Sequence, residues 1–352
     1  MHYGLRVNHH ADDHGRLIYH GIRPALARMR SACGPVPAAL RPHWRDGPHL
    51  LIGLELPPDA SAERAWSILE TEIQSWLDDE PAAPPLDPDA YDRLSRSLAE
   101  QEAIAQAPLS LRADNMVERG SYAVPAPLDV PSLAPLRDAF SASALDDVFA
   151  LVGERLADPE RALLGWVRRV VCLERLKWRG DLRLWPLSPQ GQSLLVTRTS
   201  GKAARDFPAL AARLEPLLVA MVEQEGLLRG EARLSEESRR WLATAQESYD
   251  RLLDYVDRAD PSFFEAIDLE TRRGGPSYSS EVLGMGSDRM ARLLSNPTHF
   301  AFRMLINFIY GMLPSVGFSA SRRFFACYLV THMLETHYPE VMSRATSDGL
   351  KL

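Results

Sequence analysis

The sequence is short of lysine, cysteine and long apolar runs, and each shortage removes a class of function. Only three of its 40 basic residues are lysines (Lys177, Lys202 and Lys351), and 47 acidic residues leave a net charge of −7. No basic stripe is interleaved with aromatics, so DNA and RNA are not expected partners. Three cysteines, Cys33, Cys172 and Cys327, lie too far apart for a disulfide framework or a CxxC metal site. Reduced thiols in the cytoplasm are the expectation, and no basic-then-apolar secretory signal opens the chain. The most apolar stretch, 300–313, carries Arg303 and Asn307 and falls short of the roughly 20 residues that span a bilayer. Gly274-Gly275 runs into Pro276 and opens no phosphate loop. His2, His9, His10 and His14 stand irregularly beside Asp12 and Asp13, without the spacing of a metal site. The expectation is therefore a protein with no membrane span, no metal and no cofactor.

What is present is helical periodicity around a small sheet. With 352 residues and 45% hydrophobic content, the chain can bury two cores. Its first 80 residues read β-α-β-α. A strand is expected at 17–20, a helix at 23–32 ended by Gly34-Pro35, an apolar strand at 49–56, and a helix from an N-cap at Ser61 to about Asp78. Four prolines within 81–88 mark a linker. A helix then runs from about Asp89 to Ala107, followed by an extended stretch at 111–124. From Pro131 the helical period dominates, at 133–156, 159–176, 207–228, 235–256, 289–294 and 297–313. Within 180–199, Leu182 and Leu184 alternate with Asp181 and Arg183 between prolines, which reads as a β-hairpin. Residues 271–286, rich in Gly, Ser and Pro, read as a loop. The fold class is thus α+β and helix-rich: an N-terminal α/β unit at 1–80, a linker, helix and extended segment at 81–130, and a mainly helical part at 131–352.

Three segments carry chemistry. In His43-Trp44-Arg45-Asp46-Gly47-Pro48-His49, a tight Asp-Gly-Pro turn separates two extended runs and sets Arg45 and His49 on either side, placed to converge on an anion or merely solvated. In Val117-Glu118-Arg119-Gly120-Ser121-Tyr122, Glu118 and Arg119 suit a strand edge, while Tyr122 is either a hydrogen-bond donor or a packing residue. On the helix at 297–313, His299, Arg303, Asn307 and Tyr310 stand four, four and three residues apart, a polar stripe on an apolar helix. Such a stripe is costly to bury unless it is paired or lines a pocket.

Taken together, these segments resemble the elimination-domain family of lantibiotic dehydratases, including its free-standing members in thiopeptide biosynthesis. The family's Arg-Asp-(Pro)-Gly-Pro-His-Leu pattern matches Arg45-Asp46-Gly47-Pro48-His49-Leu50. Its Glu-Arg-Tyr-Gly-Gly is approximated by Glu118-Arg119-Gly120-Ser121-Tyr122, and its His-Met-x-x-Asn-Arg falls on Arg303-Met304-Leu305-Ile306-Asn307-Phe308. The resemblance spans about Leu17 to Gly311. Arg303 stands where glutamate-eliminating members have histidine, and His299 lies one turn earlier. Free-standing relatives that have lost the elimination residues are pyridine synthases, and the continuation through Pro314 and 319–327 is similar to that subgroup.

The resemblance implies a formal aza-[4+2] cycloaddition between two dehydroalanines of a precursor peptide, with loss of water and of the leader. The partner it implies is a leader followed by a dehydrated, azole-containing core. As hydroxyl donors the expectation names Tyr310, Ser277, Tyr278 and Ser279, with Arg303 for developing negative charge and His299 or His49 as proton carriers. Arg45, His49, Glu118, Tyr122 and Asn307 are the expected substrate contacts. Arg168 and Arg169, or the N-terminal sheet, are the expected sources of an arginine-rimmed leader groove. Two alternatives stand beside this: a glutamate-eliminating subunit of a split peptide dehydratase, and a non-catalytic precursor-binding homologue.

Overall fold

The computed structural model describes residues 3–11, 13–56, 60–80, 86–101, 111–122, 133–181, 183–229, 232–259 and 296–351. The expected helix at 289–294, the loop at 271–286 and, with it, Ser277, Tyr278 and Ser279 lie outside these residues. Two compact units emerge, Met1–Ala157 with Met312–Gly317, and Asp158–Gly311 with Phe318–Leu352. The division does not follow residues 80 and 131, because the helices at Ala134–Ser143 and Leu145–Ala157 pack with the N-terminal sheet.

The first unit is built on four antiparallel strands in the order β2-β3-β1-β4: β1 Tyr3–Asn8, β2 Ala38–His43, β3 His49–Leu54 and β4 Met116–Ser121. β3 is buried along its whole length, as its unbroken apolar run requires. β1 was not anticipated, although Leu5 and Val7 alternate inward and are fully buried. Gly53, Gly4 and Gly120 stand opposite one another across three strands. A Cβ on Gly4 would come within 2.4 Å of the Ile52 carbonyl oxygen, so this register tolerates only glycine there.

The strand expected at 17–20 is instead a π-helical turn, Leu17–Ile22, continuous with α1, Arg23–Cys33. The overriding signal is periodicity. Leu17, Ile18, Ile22, Ala25, Leu26 and Met29 form one buried helical stripe, which alternation would have split between two faces. α1 ends at Gly34, whose φ of 87° suits glycine, as the sequence indicated. α2 (Ala60–Asp79) packs on α1 and β4, and α3 (Pro88–Gln101) follows the proline-rich stretch. α4 (Ala134–Ser143) and α5 (Leu145–Ala157) contact β2.

The second unit is helical: α6 Pro159–Cys172, α7 Leu187–Thr199, α8 Gly201–Gln224, α9 Glu236–Arg258 and α10 Pro297–Gly311. After α11 (Leu313–Val316), which belongs to the first unit, come α12 (Ala320–His337) and α13 (Pro339–Lys351). The hairpin expected at 180–199 is overturned, since 187–199 is the helix α7. Its prolines open the helix rather than bound strands. Pro186 precedes the first turn, and Pro189 sits within it, where the missing N–H has no intrahelical acceptor to lose. α8 starts earlier than its apolar periodicity suggested, because Ser200 caps it by accepting from Ala203 N–H at 3.2 Å. Trp166, Trp241 and Tyr249 fill the centre of this unit. Among the described residues no helix is long and apolar enough to cross a membrane.

Candidate active site

In the first unit the turn at 44–48 is held from several sides. Asp46 and Gly47 both adopt positive φ, 61° and 111°, as a tight Asp-Gly turn requires. Gly47 N–H donates to the Tyr91 hydroxyl at 3.0 Å, and that hydroxyl donates to the Trp44 carbonyl. Arg6 Nη2 donates to the carbonyls of Arg45 and Asp46 at 2.9 and 3.2 Å. His49 Nδ1 donates to the Gly47 carbonyl at 2.8 Å, and its ring is almost fully buried. Burial, with Arg6 nearby, holds the His49 pKa down at about 3 despite that hydrogen bond. His43, 5.4 Å from His49 between ring centroids, is likewise held at about 4, chiefly by burial.

These observations correct the expected convergence. Arg45 is exposed, whereas His49 is interior and neutral and points back at its own turn. His49 is thus a turn-bracing residue in this geometry, a poor proton donor near neutrality. Tyr122 is 2% exposed and packs with Ala39 and Leu51. Glu118 accepts from Arg112 Nη1 at 2.8 Å, and Arg119 pairs with Glu63 and Glu70.

In the second unit the polar stripe lies on α10, with one departure. Each four-residue step around a 3.6-residue helix overshoots by about 40°. Asn307, two steps from His299, therefore drifts outward and is exposed, while the three-residue step returns Tyr310 to the face of Arg303. The Tyr310 hydroxyl lies 3.3 Å from Ser188 Oγ on α7 and 3.5 Å from Cys327 Sγ on α12. Trp166 of α6 flanks the ring at 5.7 Å, and the Arg323 guanidinium stands 6.0 Å from its centroid. Burial pushes the phenol pKa well above its ordinary value, reinforced by Cys327 and opposed by Ser188 and Arg323. Burial also raises the Cys327 thiol to about 11. Both groups are neutral hydrogen-bonding groups at pH 7, not anionic nucleophiles. Arg303, seven residues before Tyr310, makes no ion pair or hydrogen bond among the described residues, and burial lowers its pKa. Among the described residues no anion compensates this desolvated guanidinium. His299 begins the same face, its ring 6.0 Å from Phe302.

No protein-family model matches the sequence, and no curated protein matches it. Solved structures do. A pyridine synthase from thiomuracin biosynthesis, TbtD, superposes with a TM-score of 0.69 at 22% identity, covering 97% of this chain and 100% of that one. The chain shares the fold of that enzyme. TsrL aligns over 99% of this chain and 98% of its own, with a TM-score of 0.57 and 14% identity.

Within this fold, Arg168 and Arg169 are not the rim of an open groove, contrary to expectation. Arg169 is 1% exposed, donating to the Gly165 carbonyl at 3.1 Å and pairing with Glu237. Arg168 pairs with Glu237 and with Glu225 at 3.2 Å. Sequence reasoning missed Ser188, because α7 read as a hairpin and gave its residues no helical face. Arg323 and Cys327 had a legible signal: four residues apart, they share one face of α12.

Proposed function

We propose that this chain is a pyridine synthase of thiopeptide biosynthesis, closing the central ring of a precursor peptide that bears two dehydroalanines. The observation that carries the reading is the Tyr310 hydroxyl, protonated and hydrogen-bonded within the α7, α10 and α12 cluster, on the same helix face as Arg303, which has no partner among the described residues. The full-length likeness in fold to the thiomuracin enzyme supports it.

One dehydroalanine supplies two carbons. The other, with its neighbouring amide as the iminol, supplies the 2-azadiene. Two bonds close the six-membered ring, and loss of water and then of the leader as its amide leaves the aromatic pyridine. A phenol that stays protonated is suited to donate a hydrogen bond to the amide oxygen as it takes on iminol character. Arg303 is placed to hold a second carbonyl oxygen or a developing oxyanion. The two residues are two helical turns apart, roughly 10 Å along the axis, the reach of about three extended peptide residues. They therefore suit different points of one bound peptide. Holding two distant dehydroalanines in contact contributes up to about 7–11 kcal/mol in favourable cases, so few chemical groups are demanded. Burial keeps Cys327 protonated, which suits a reaction without a thiolate adduct.

The test is to incubate the full chain with a leader-bearing peptide containing azoles and two dehydroalanines, then follow mass. Release of leader amide together with a macrocycle lighter by leader and water is the expected result. Unchanged dehydroalanine peptide, with loss of glutamate from a glutamylated one, would establish the eliminase instead. Tight binding with no mass change on either substrate would establish the non-catalytic homologue.

A further inference from the structure

Arg323 stands beside the Tyr310 cluster in a place that its own helix disfavours. It lies one turn before Cys327 on α12, its guanidinium 4.8 Å from the Phe324 ring centroid and 6.0 Å from that of Tyr310. Among the described residues its side chain makes no salt bridge or hydrogen bond, and its Nε is buried without a partner. It follows closely on the Ser319 cap, where the helix dipole opposes positive charge, and the first turn holds no acidic residue to offset it. Among the described residues, Arg323 is also the one charge that acts on the Cys327 thiol, whose Sγ lies 3.5 Å from the Tyr310 oxygen. The phenol proton is weakly claimed. Ser188 Oγ is 3.3 Å away, longer than the roughly 2.7–2.8 Å of an ordinary O–H···O bond, and a thiol sulfur is a weak acceptor.

We propose that Arg323 is a positioning residue for ring closure, its positive charge beside the Tyr310 ring polarising the phenol O–H toward the substrate amide oxygen. This deepens the pyridine synthase reading and rests on it. The O–H bond does not break. The phenol donates a shorter hydrogen bond as the amide takes on iminol character, and the neighbouring cation stabilises the electron density that gathers on the phenol oxygen. Arg303 is placed to meet substrate directly, whereas Arg323 acts through Tyr310. A fixed cation about 6 Å from a partly buried phenol favours its ionised form by roughly one to two pH units, which is the size of effect to look for.

The test compares Arg323→Met, which keeps an apolar stem beside Phe324, with Arg323→Lys, which keeps the charge. With the leader-bearing peptide that carries two dehydroalanines, Arg323→Met should lower kcat about tenfold with KM held within about twofold, and Arg323→Lys should recover most of the loss. A second readout needs no turnover. With difluorotyrosine, a more acidic phenol, in place of Tyr310, fluorine NMR of the full chain follows its ionisation. That ionisation should move to higher pH by about one unit or more in Arg323→Met and stay near the parent in Arg323→Lys. Four results overturn the role of Arg323 in an active parent: kcat unchanged in Arg323→Met, equal losses in both variants, a loss confined to KM, or a phenol at 310 whose ionisation ignores the charge or never begins. A parent that forms no pyridine overturns the pyridine synthase reading, and the assignment to ring closure with it, while the titration still shows whether Arg323 and Tyr310 are coupled.

Discussion

The Tyr310 hydroxyl lies 3.3 Å from Ser188 Oγ, joining helix α10 to helix α7 through two groups 122 residues apart. That contact turns a polar stripe on one helix into a site with a second wall. It also ranks the hydroxyls, because Tyr310 is desolvated and bonded on two sides while Ser188 supports it.

Tyr310→Phe should therefore abolish most pyridine formation, lowering kcat by about 10²–10³, the usual loss when one preorganised donor is removed. Stability should change by less than about 1 kcal/mol, since the phenol exchanges only neutral partners. Ser188→Ala should give a smaller loss in kcat with KM retained. Single-turnover mass analysis beside thermal melting checks both. Full activity in Tyr310→Phe would remove that residue from the chemistry.

Arg303 separates binding from folding. A desolvated cation with no partner among the described residues weakens the fold, so Arg303→Met should leave the protein as stable as the parent or more stable by about 1–2 kcal/mol. The same variant should lose turnover, and Arg303→Lys should recover little because it lacks the planar fork. Urea denaturation together with the mass assay reads both. A variant that is active and destabilised would show that Arg303 has a structural partner instead.

Glu237 should be costly to neutralise. Burial by itself would raise its pKa, but Arg169 and Arg168 outweigh burial and hold it below the ordinary value. Glu237→Gln removes the carboxylate that pairs with both Arg168 and Arg169, the latter 1% exposed. It should cost about 3–5 kcal/mol in chemical denaturation. Because the folded pKa is depressed, this contribution is complete above the ordinary glutamate range and lost as pH falls through the lowered value.

The buried imidazoles give a second acid sensitivity, at higher pH. His49 and His43 have folded pKa values of about 3 and about 4, below the ordinary 6.5. Between those limits the unfolded chain binds protons that the folded chain refuses. Stability is therefore full above about pH 6.5 and falls with acidification by about 1.4 kcal/mol per pH unit for each histidine. His49→Asn keeps a donor for the Gly47 carbonyl and should roughly halve that slope. Denaturant midpoints between pH 5 and pH 7.5 measure it, and an unchanged slope would mean that His49 titrates normally.

The sequence by itself determined the helix-rich α+β class, the strand at His49–Leu54, the cap at Gly34, and the helices that carry most of the second unit. These follow from local rules: an unbroken apolar run, a residue able to adopt positive φ, and a 3.6-residue period. It also placed Arg303 and Tyr310 on one face, because helical geometry needs no partner to be read. Short segments were not legible. Leu17–Ile22 and 187–199 each support two periods over a few residues, and only packing against neighbouring elements decides between them. Pairing was not legible either. Whether Arg169 is a free cation or is bound to Glu237, whether His49 reaches out or braces its own turn, and whether Tyr310 meets Ser188 all depend on residues far away in the chain. Tertiary structure alone decides these, because burial and the identity of the facing partner set the charge, the orientation and the hydrogen bonds of every polar side chain.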